Sequence, residues 1–413
     1  MPDAPHLPAE ICFQILDDVC DDTSTAWQKY SALCNIRLVN RAWCHFASVA
    51  LFQHITLDGS RCVKNDIGWV SRLERLSQMS VAGLVSSVVV HISLYDDDYD
   101  DDNTHGQDDG DSASLQESLF ARLSQVLPRS IPCFPQLEGL HLLLLDRERL
   151  LDSHSVNVPL VDALRLIEKK VLREYFTAIG RCLSLSHLPR LNALSLDLST
   201  ICDLSPLLDT GDEAPEDSSE TRSFFAQNIS QLRHLSLTVN NTICRGCLRP
   251  EHCDYHHRFP VSFPYSWACV PHPLMRFFSY GLEDLESLTI LCTDLHRVYI
   301  DMHEVWTTAP FTKLRHIDLH KVLISFRTLV SILDTARGSL QEICIHWVMR
   351  IPRRQTKAVT AKLTSMPWLE WAIIVTMANT ICYKRREVPD LKISAAHGPG
   401  PWWGEEEEEE EEE

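Results

Sequence analysis

The chain has 413 residues, of which 45% are hydrophobic, and a formal net charge of −19. That length gives room for two or three ordinary domains or one repeat array, with enough apolar content for a sizeable core, which excludes a wholly disordered chain. The charge is local: Glu405–Glu413 supplies nine negative charges and nine aspartates lie between Asp96 and Asp111, so the remaining body is near −1 and acidity says little about its partners.

The start, Met1-Pro2-Asp3-Ala4-Pro5, lacks a basic patch followed by an apolar core, so no secretory signal is read there. The fifteen cysteines are then expected as reduced thiols, many buried as small apolar residues, in the cytosol or nucleus. No run of about eighteen apolar residues occurs. The longest candidate, Trp371 to Cys382, is broken by Thr376, Asn379 and Thr380, which argues against a membrane span.

Pro8 suits the first turn of a helix, where its missing N–H is not needed, and Glu10 places negative charge at the positive end of the helix dipole. Leu7, Ile11, Ile15, Leu16 and Val19 recur at steps of about four, forming one apolar stripe, with Gln14, Asp17 and Asp18 on other faces. A second helical pattern runs from Leu33 to Phe46, with Leu33, Ile36, Val39, Trp43 and Phe46 separated by Arg37, Asn40, Arg41 and His45. About fifty residues of short helices bury too little surface to stand alone, so part of their apolar surface must be covered by another part of the chain or by a partner.

Leu7-Pro8-x-Glu10-Ile11-x-x-x-Ile15-Leu16, then Arg37-Leu38-Val39-Asn40-Arg41-x-Trp43, then Leu51-Phe52, resembles the F-box as written in fungal F-box proteins. The match covers about an eighth of the chain and departs from the family between Cys20 and Ala32, where this sequence is longer and Asp21, Asp22, Thr23 and Ser24 read as loop. The resemblance implies docking on a Skp adaptor, and through it a cullin, while the rest of the chain selects a protein for ubiquitin transfer. Carried onto this sequence, the adaptor contacts are Leu7, Pro8, Ile11, Ile15, Leu16, Leu38, Val39 and Trp43, some of which can instead pack the module internally.

After residue 57 a motif returns, apolar-x-x-apolar-x-apolar. It stands at Leu137-x-x-Leu140-x-Leu142, Leu191-x-x-Leu194-x-Leu196, Leu232-x-x-Leu235-x-Leu237, Leu285-x-x-Leu288-x-Ile290, Leu314-x-x-Ile317-x-Leu319 and Leu340-x-x-Ile343-x-Ile345. A weaker copy, Leu369-x-x-Ala372-x-Ile374, ends the series, and Val85-x-x-Val88-x-Val90 is a candidate first member. Each alternates in its second half like a short strand, while its first leucine reaches under the preceding turn.

The last four copies are 29, 26 and 29 residues apart, close to a leucine-rich period. The earlier gaps of 52, 54, 41 and 53 residues must hold insertions or cryptic repeats. Helical patterns lie between copies at 115–127, 160–183 and 326–336, and the Asn usual past the last leucine occurs only as Asn240. The series resembles the irregular leucine-rich region of many F-box proteins, which implies strands lining a concave face that presents varied side chains to a target.

Asp96 to Ser114 reads as an acidic surface loop; it contains no EF-hand ligand pattern. Asp209 to Thr221 reads as a second acidic loop, and Gly398 to Gly404 with the glutamate run as a breaker-rich linker and charged tail. Between 242 and 262 lies Cys244-Arg245-Gly246-Cys247, followed by His252, Cys253, His256 and His257. A Cys-x-x-Cys turn can hold two thiolates on one side of zinc. Cys244, Cys247, His252 and His257 form one candidate set; Cys244, Cys247, Cys253 and either His256 or His257 form another. A structural zinc would close an insertion without its own core; the other reading is a solvated loop with a reduced cysteine pair.

From Arg350 to Arg386 the charged residues are Arg350, Arg353, Arg354, Lys357, Lys362, Lys384, Arg385 and Arg386 against Glu370. They are either a solvated face of the last repeats or a patch for an anionic partner, such as a phosphorylated segment or the acidic tail. No reader motif for nucleic acid accompanies them, so no nucleic-acid partner is expected. No phosphate-binding Gly-x-x-x-x-Gly-Lys, Gly-x-Ser-x-Gly elbow or His-Glu-x-x-His occurs, and catalysis is not expected.

The sequence therefore reads as an α/β chain: a short N-terminal helical F-box module (1–57), then an irregular leucine-rich-repeat-like solenoid. Residues 58–95 are read as linker and candidate first repeat, 96–114 as the acidic loop, 115–395 as the target-binding region with insertions at 209–221 and 242–262, and 396–413 as linker and tail. The expected role is a non-catalytic substrate receptor of a ubiquitin ligase. The competing reading is a leucine-rich scaffold whose N-terminal helices only cap the array.

Overall fold

The computed structural model describes residues 8, 11–12, 14–16, 18, 26–39, 41–58, 68–93, 121–145, 174–198, 207, 219–239, 277–292, 311–320, 324, 326–348, 353–376 and 380–385. These form a mixed α/β structure around one ten-stranded sheet. The strands are β1 (His54–Asp58), β2 (Ser87–Ser93), β3 (Gly139–Leu145), β4 (Ala193–Leu198), β5 (His234–Val239), β6 (Ser287–Cys292), β7 (His316–His320), β8 (Glu342–Val348), β9 (Trp371–Thr376) and β10 (Thr380–Lys384). Their order in the sheet is their order in the chain, β1 to β9 parallel and β10 antiparallel to β9.

Every copy of the apolar motif supplies one strand, including the weak copies beginning at Val85 and Leu369. The second motif positions fall opposite one another across the sheet: Val88 pairs with Leu140, Leu140 with Leu194, Leu194 with Leu235, and so on to Ala372. The third positions do likewise from Val90 to Ile374, and all of these side chains are buried. Period-two alternation puts both columns on one face, and each fully buried leucine there stabilises the fold by roughly 1.5–3 kcal/mol.

Because β2 bonds directly to β3, β3 to β4, β4 to β5 and β5 to β6, no further strand intervenes in the long gaps between them. The chain in those gaps therefore adds no strand between these neighbours. The apolar run at 371–382, interrupted at Thr376, Asn379 and Thr380, folds as the β9–β10 hairpin that ends the parallel ladder.

A turn before each strand repeats its own hydrogen bonds. The carbonyl of Gln53 accepts the N–H groups of both Ser86 and Ser87; Ser86 accepts Glu138 and Gly139, Glu138 accepts Asn192 and Ala193, and Asn192 accepts Arg233 and His234. The series runs through Arg233, Glu286 and Arg315 to Gln341, whose carbonyl accepts Glu370 and Trp371. One residue per step thus fixes two donors of the next, which satisfies backbone groups at a corner that would otherwise be orphaned. Glu286 adds ion pairs to Arg233 at 3.6 Å and Arg315 at 3.5 Å along that edge.

Helices cover the buried face. Those at 121–130 and 174–185, Ser219–Ser230, Phe326–Thr335 and Arg353–Thr364 place residues such as Leu127, Ile179, Ile229, Ile332 and Val359 in the main core. An apolar residue three before the first motif leucine joins them: Phe134, Leu188, Ile229, Leu282, Phe311 and Met366 are buried. Two of these turns meet through Phe278 and Phe311, whose ring centroids are 5.7 Å apart in a T-shaped pair. Gly281, with φ +82°, closes the turn before Leu282 in a conformation that glycine adopts without strain.

Asn228 ties neighbouring units together. Its buried Nδ2 donates to the carbonyls of Leu183 (2.7 Å) and Ser186 (2.8 Å), and its Oδ1 accepts the N–H of Leu188 at 2.9 Å. Tyr175 donates its hydroxyl to the carbonyl of Leu142 at 3.1 Å. Cys182 is buried, and desolvation pushes its thiol up to about 12. The folded chain therefore holds a proton that the unfolded chain releases near its ordinary value of 9.0. Stability is expected to be unaffected by this group below that value and to fall as pH rises from it to about 12, with a slope of about 1.4 kcal/mol per pH unit. Denaturant melts of the wild type and of Cys182→Ala across that window check it: the variant should have the shallower alkaline loss.

The N-terminal helices have a second, smaller core of Leu16, Leu33 and Ala47, with Ile36, Trp43, Phe46, Ala50 and Leu51 packed against it. Pro8 stands one step earlier than expected, since its carbonyl accepts the N–H of Cys12 at 3.1 Å, so it caps the helix from outside the first turn. The expected helix from Leu33 to Phe46 is two helices, Ala26–Ile36 and Arg41–Phe52, joined by a turn at Arg37–Val39. There the N–H groups of Leu38 and Val39 bond the carbonyls three residues back, Asn35 and Ile36, which tightens and ends the first helix. The end of the extra segment between Cys20 and Ala32 is helical from Ala26 onward. The 57/58 boundary falls inside β1, which joins the sheet directly after Arg41–Phe52.

Candidate functional site

Two surfaces of different chemistry stand out. On the N-terminal helices, Leu38 is 83% exposed, Val39 65%, Ile11 42% and Ile15 38%, and Pro8 is also exposed. The turn that carries Leu38 and Val39 is anchored by Arg37, whose guanidinium lies over the Phe52 ring at 5.5 Å. With Arg37 turned inward, the two residues that follow project outward. Leu16 is 1% exposed and Trp43 packs on the same small core, so these two hold the helices together. Leu7 lies outside the described residues. Tyr30, 54% exposed on Ala26–Ile36, is an aromatic on this module that the motif did not single out.

The second surface is the sheet face opposite the helices, formed by the residues between the buried motif positions. One row runs His54, Ser87, Gly139, Ala193, His234, Ser287, His316, Glu342, Trp371 and Lys384; the next runs Thr56, Val89, His141, Ser195, Ser236, Thr289, Asp318, Cys344, Ile373 and Cys382. A third carries His91, Leu143, Asp197, Thr238, Leu291, His320, His346 and Val375. Small hydroxyls occupy its middle, and histidines recur on both sides.

The chemistry concentrates at β7 and β8. His316 Nδ1 lies 3.1 Å from Glu342 Oε2. His320 Nε2 is 2.7 Å from Asp318 Oδ1 and 4.0 Å from Cys344 Sγ, and the rings of His320 and His346 stack at 4.4 Å with an 18° interplanar angle. Burial first, then the Asp318 carboxylate, pushes the Cys344 thiol up to about 12. Burial and the neighbouring His320 hold His346 below the ordinary histidine value.

The sequence signal for this cluster was Asp318-Leu319-His320 and Cys344-Ile345-His346, two polar pairs at strand spacing, each straddling a buried residue. It goes unnoticed when only the apolar positions are counted.

The other sites read from the sequence fall elsewhere. Cys244, Cys247, His252, Cys253, His256 and His257 all lie outside the described residues, as do the acidic segment 96–114 and residues 386–413. Of the basic series, Arg350 and Arg386 are outside, and Arg353, Arg354 and Lys357 belong to the helix Arg353–Thr364 on the covered side of the sheet. Lys362 pairs with Asp334, and Arg385 Nη1 donates to the Pro367 carbonyl. Lys384 alternates with buried Ile381 and so belongs to the opposite face. Lys357 thus lies on the helix side of the sheet and Lys384 on its other face. No helix among the described residues is long and apolar enough to cross a membrane.

No protein-family model matches this chain, and no curated protein matches it.

Proposed function

We propose that the chain is a non-catalytic substrate receptor: its N-terminal helices dock on a Skp-type adaptor, and through it a cullin, while a leucine-rich-repeat-like region holds a protein target. The observation that carries this reading is the division of labour within the F-box-like motif. Leu16 and Trp43 pack inside, whereas Ile11, Ile15, Leu38 and Val39 stand exposed on a module too small to spend four large apolar side chains on solvent without a use for them. The mechanism is proximity: one chain that holds both the ligase core and a target raises their effective concentration, and no reacting group of its own is needed.

Sequential parallel strands with in-register leucines agree with the repeat half of the proposal, and the varied open face agrees with recognition. The scaffold alternative gains one observation, since Arg41–Phe52 packs beside β1 as a cap would. A cap leaves Leu38 and Val39 without a role. Co-expression of the full chain with a Skp-type adaptor and a cullin tests the reading. A stable ternary complex on size exclusion is expected, and failure to retain the adaptor at micromolar concentration overturns the proposal.

A further inference from the structure

We propose that Asp318, His320, Cys344 and His346 form a binding site for a divalent transition-metal ion of the zinc class on the open face of β7 and β8. Nitrogen, sulfur and nitrogen donors of His320, Cys344 and His346 all lie within 4.8 Å of one another. Zinc bond lengths of about 2.0–2.3 Å in a tetrahedron put neighbouring donors roughly 3.3–3.6 Å apart, so rotamer adjustments of at most about 1.5 Å close the set. Two imidazoles and a thiolate are the donors that zinc favours over magnesium or calcium.

Asp318 stands beside these three, next to His320, and is the candidate for a fourth position. Its Oδ1 is buried, lies 2.7 Å from His320 Nε2 and makes no hydrogen bond. One thiolate and one carboxylate neutralise a divalent cation, so the filled site adds no net charge to a half-buried surface. The scaffold is rigid where it matters. Asp318 pairs with Cys344 across the β7–β8 ladder, and Leu319 and Ile345, which anchor the two strands between the donors, are buried. Binding would staple two adjacent strands from the face that the core does not reach.

The site is distinct from the cysteine and histidine segment at 244–257 and does not depend on the adaptor proposal. Cobalt(II) titration of the metal-free full chain tests it, in a background with Cys244, Cys247 and Cys253 changed to serine. One equivalent should bind with a thiolate-to-cobalt charge-transfer band. That band should vanish in Cys344→Ser, survive in Cys382→Ser two strands away, and require at least about 100-fold more cobalt in His346→Ala, since loss of a direct ligand costs more than the roughly 10–100-fold of an outer-shell partner.

Absence of the band in the background chain, or its persistence in Cys344→Ser, overturns the proposal. If the triple-serine background does not fold, zinc stoichiometry of the wild type and Cys344→Ser decides: one equivalent fewer in the variant supports the site, and equal content refutes it.

Discussion

Changing Leu38 and Val39 to aspartate together is expected to weaken capture of a Skp-type adaptor by at least about 100-fold while leaving the unfolding midpoint of the chain where it was. Both side chains are mostly in solvent, so folding gains little from them and surface substitutions usually shift stability by less than about 0.5 kcal/mol. In a docked complex each would be worth roughly 1.5–3 kcal/mol of burial, and about 1.4 kcal/mol is a factor of ten in affinity. Leu16→Ala provides the opposite signature. It empties the small core and is expected to cost about 2–5 kcal/mol of module stability, with adaptor binding lost only as the helices melt. Affinity by calorimetry beside thermal melts separates the two; wild-type affinity in the double aspartate variant would remove the docking face from these residues.

Asn228→Ala is expected to destabilise the repeat region by about 3 kcal/mol, more than most single substitutions. The amide satisfies two carbonyls and one N–H that connect the helix Ser219–Ser230 to the end of the helix 174–185 and the turn before β4. An alanine removes the partner of two buried groups, the Leu183 carbonyl and the Leu188 N–H, and of the part-buried Ser186 carbonyl. Asn228→Asp retains the acceptor for Leu188 but sets a carboxylate oxygen against the carbonyls of Leu183 and Ser186, and should be at least as harmful at neutral pH. Urea titration reads both; a loss under about 1 kcal/mol for either would mean that these groups find other partners.

The strands were legible because their signal is local and strict. A leucine three before an alternating pair fixes both the face and the register, and even Ala372 in the weak last copy keeps its place because its neighbours Leu369 and Ile374 do. The first strand went unread although Phe52-x-x-Ile55-x-Leu57 fits the motif, because Phe52 is also the last residue of the helix Arg41–Phe52 and counts with the helical module. The break at Arg37–Val39 was hidden by apolar spacing that continues through the turn at helical intervals. Periodicity records which side chains are apolar, and Leu38 and Val39 are apolar while facing water. The metal-type cluster was illegible for a related reason, because Asp318-x-His320 and Cys344-x-His346 become neighbours only when 26 residues of chain bring β8 beside β7.

Strict sequential pairing also makes the sheet a ruler. Each step advances about 4.8 Å along the hydrogen-bonding direction, whether the intervening segment has 26 residues or 54. β7 is six steps from β1, so the cluster at β7–β8 lies roughly 29 Å along the sheet from the strand that the N-terminal helices lead into. The chain between β2 and β3, or between β3 and β4, can lengthen without altering that distance as long as these neighbours stay hydrogen-bonded to one another. Whatever is held at one end is thereby presented at a set separation from whatever grips the other.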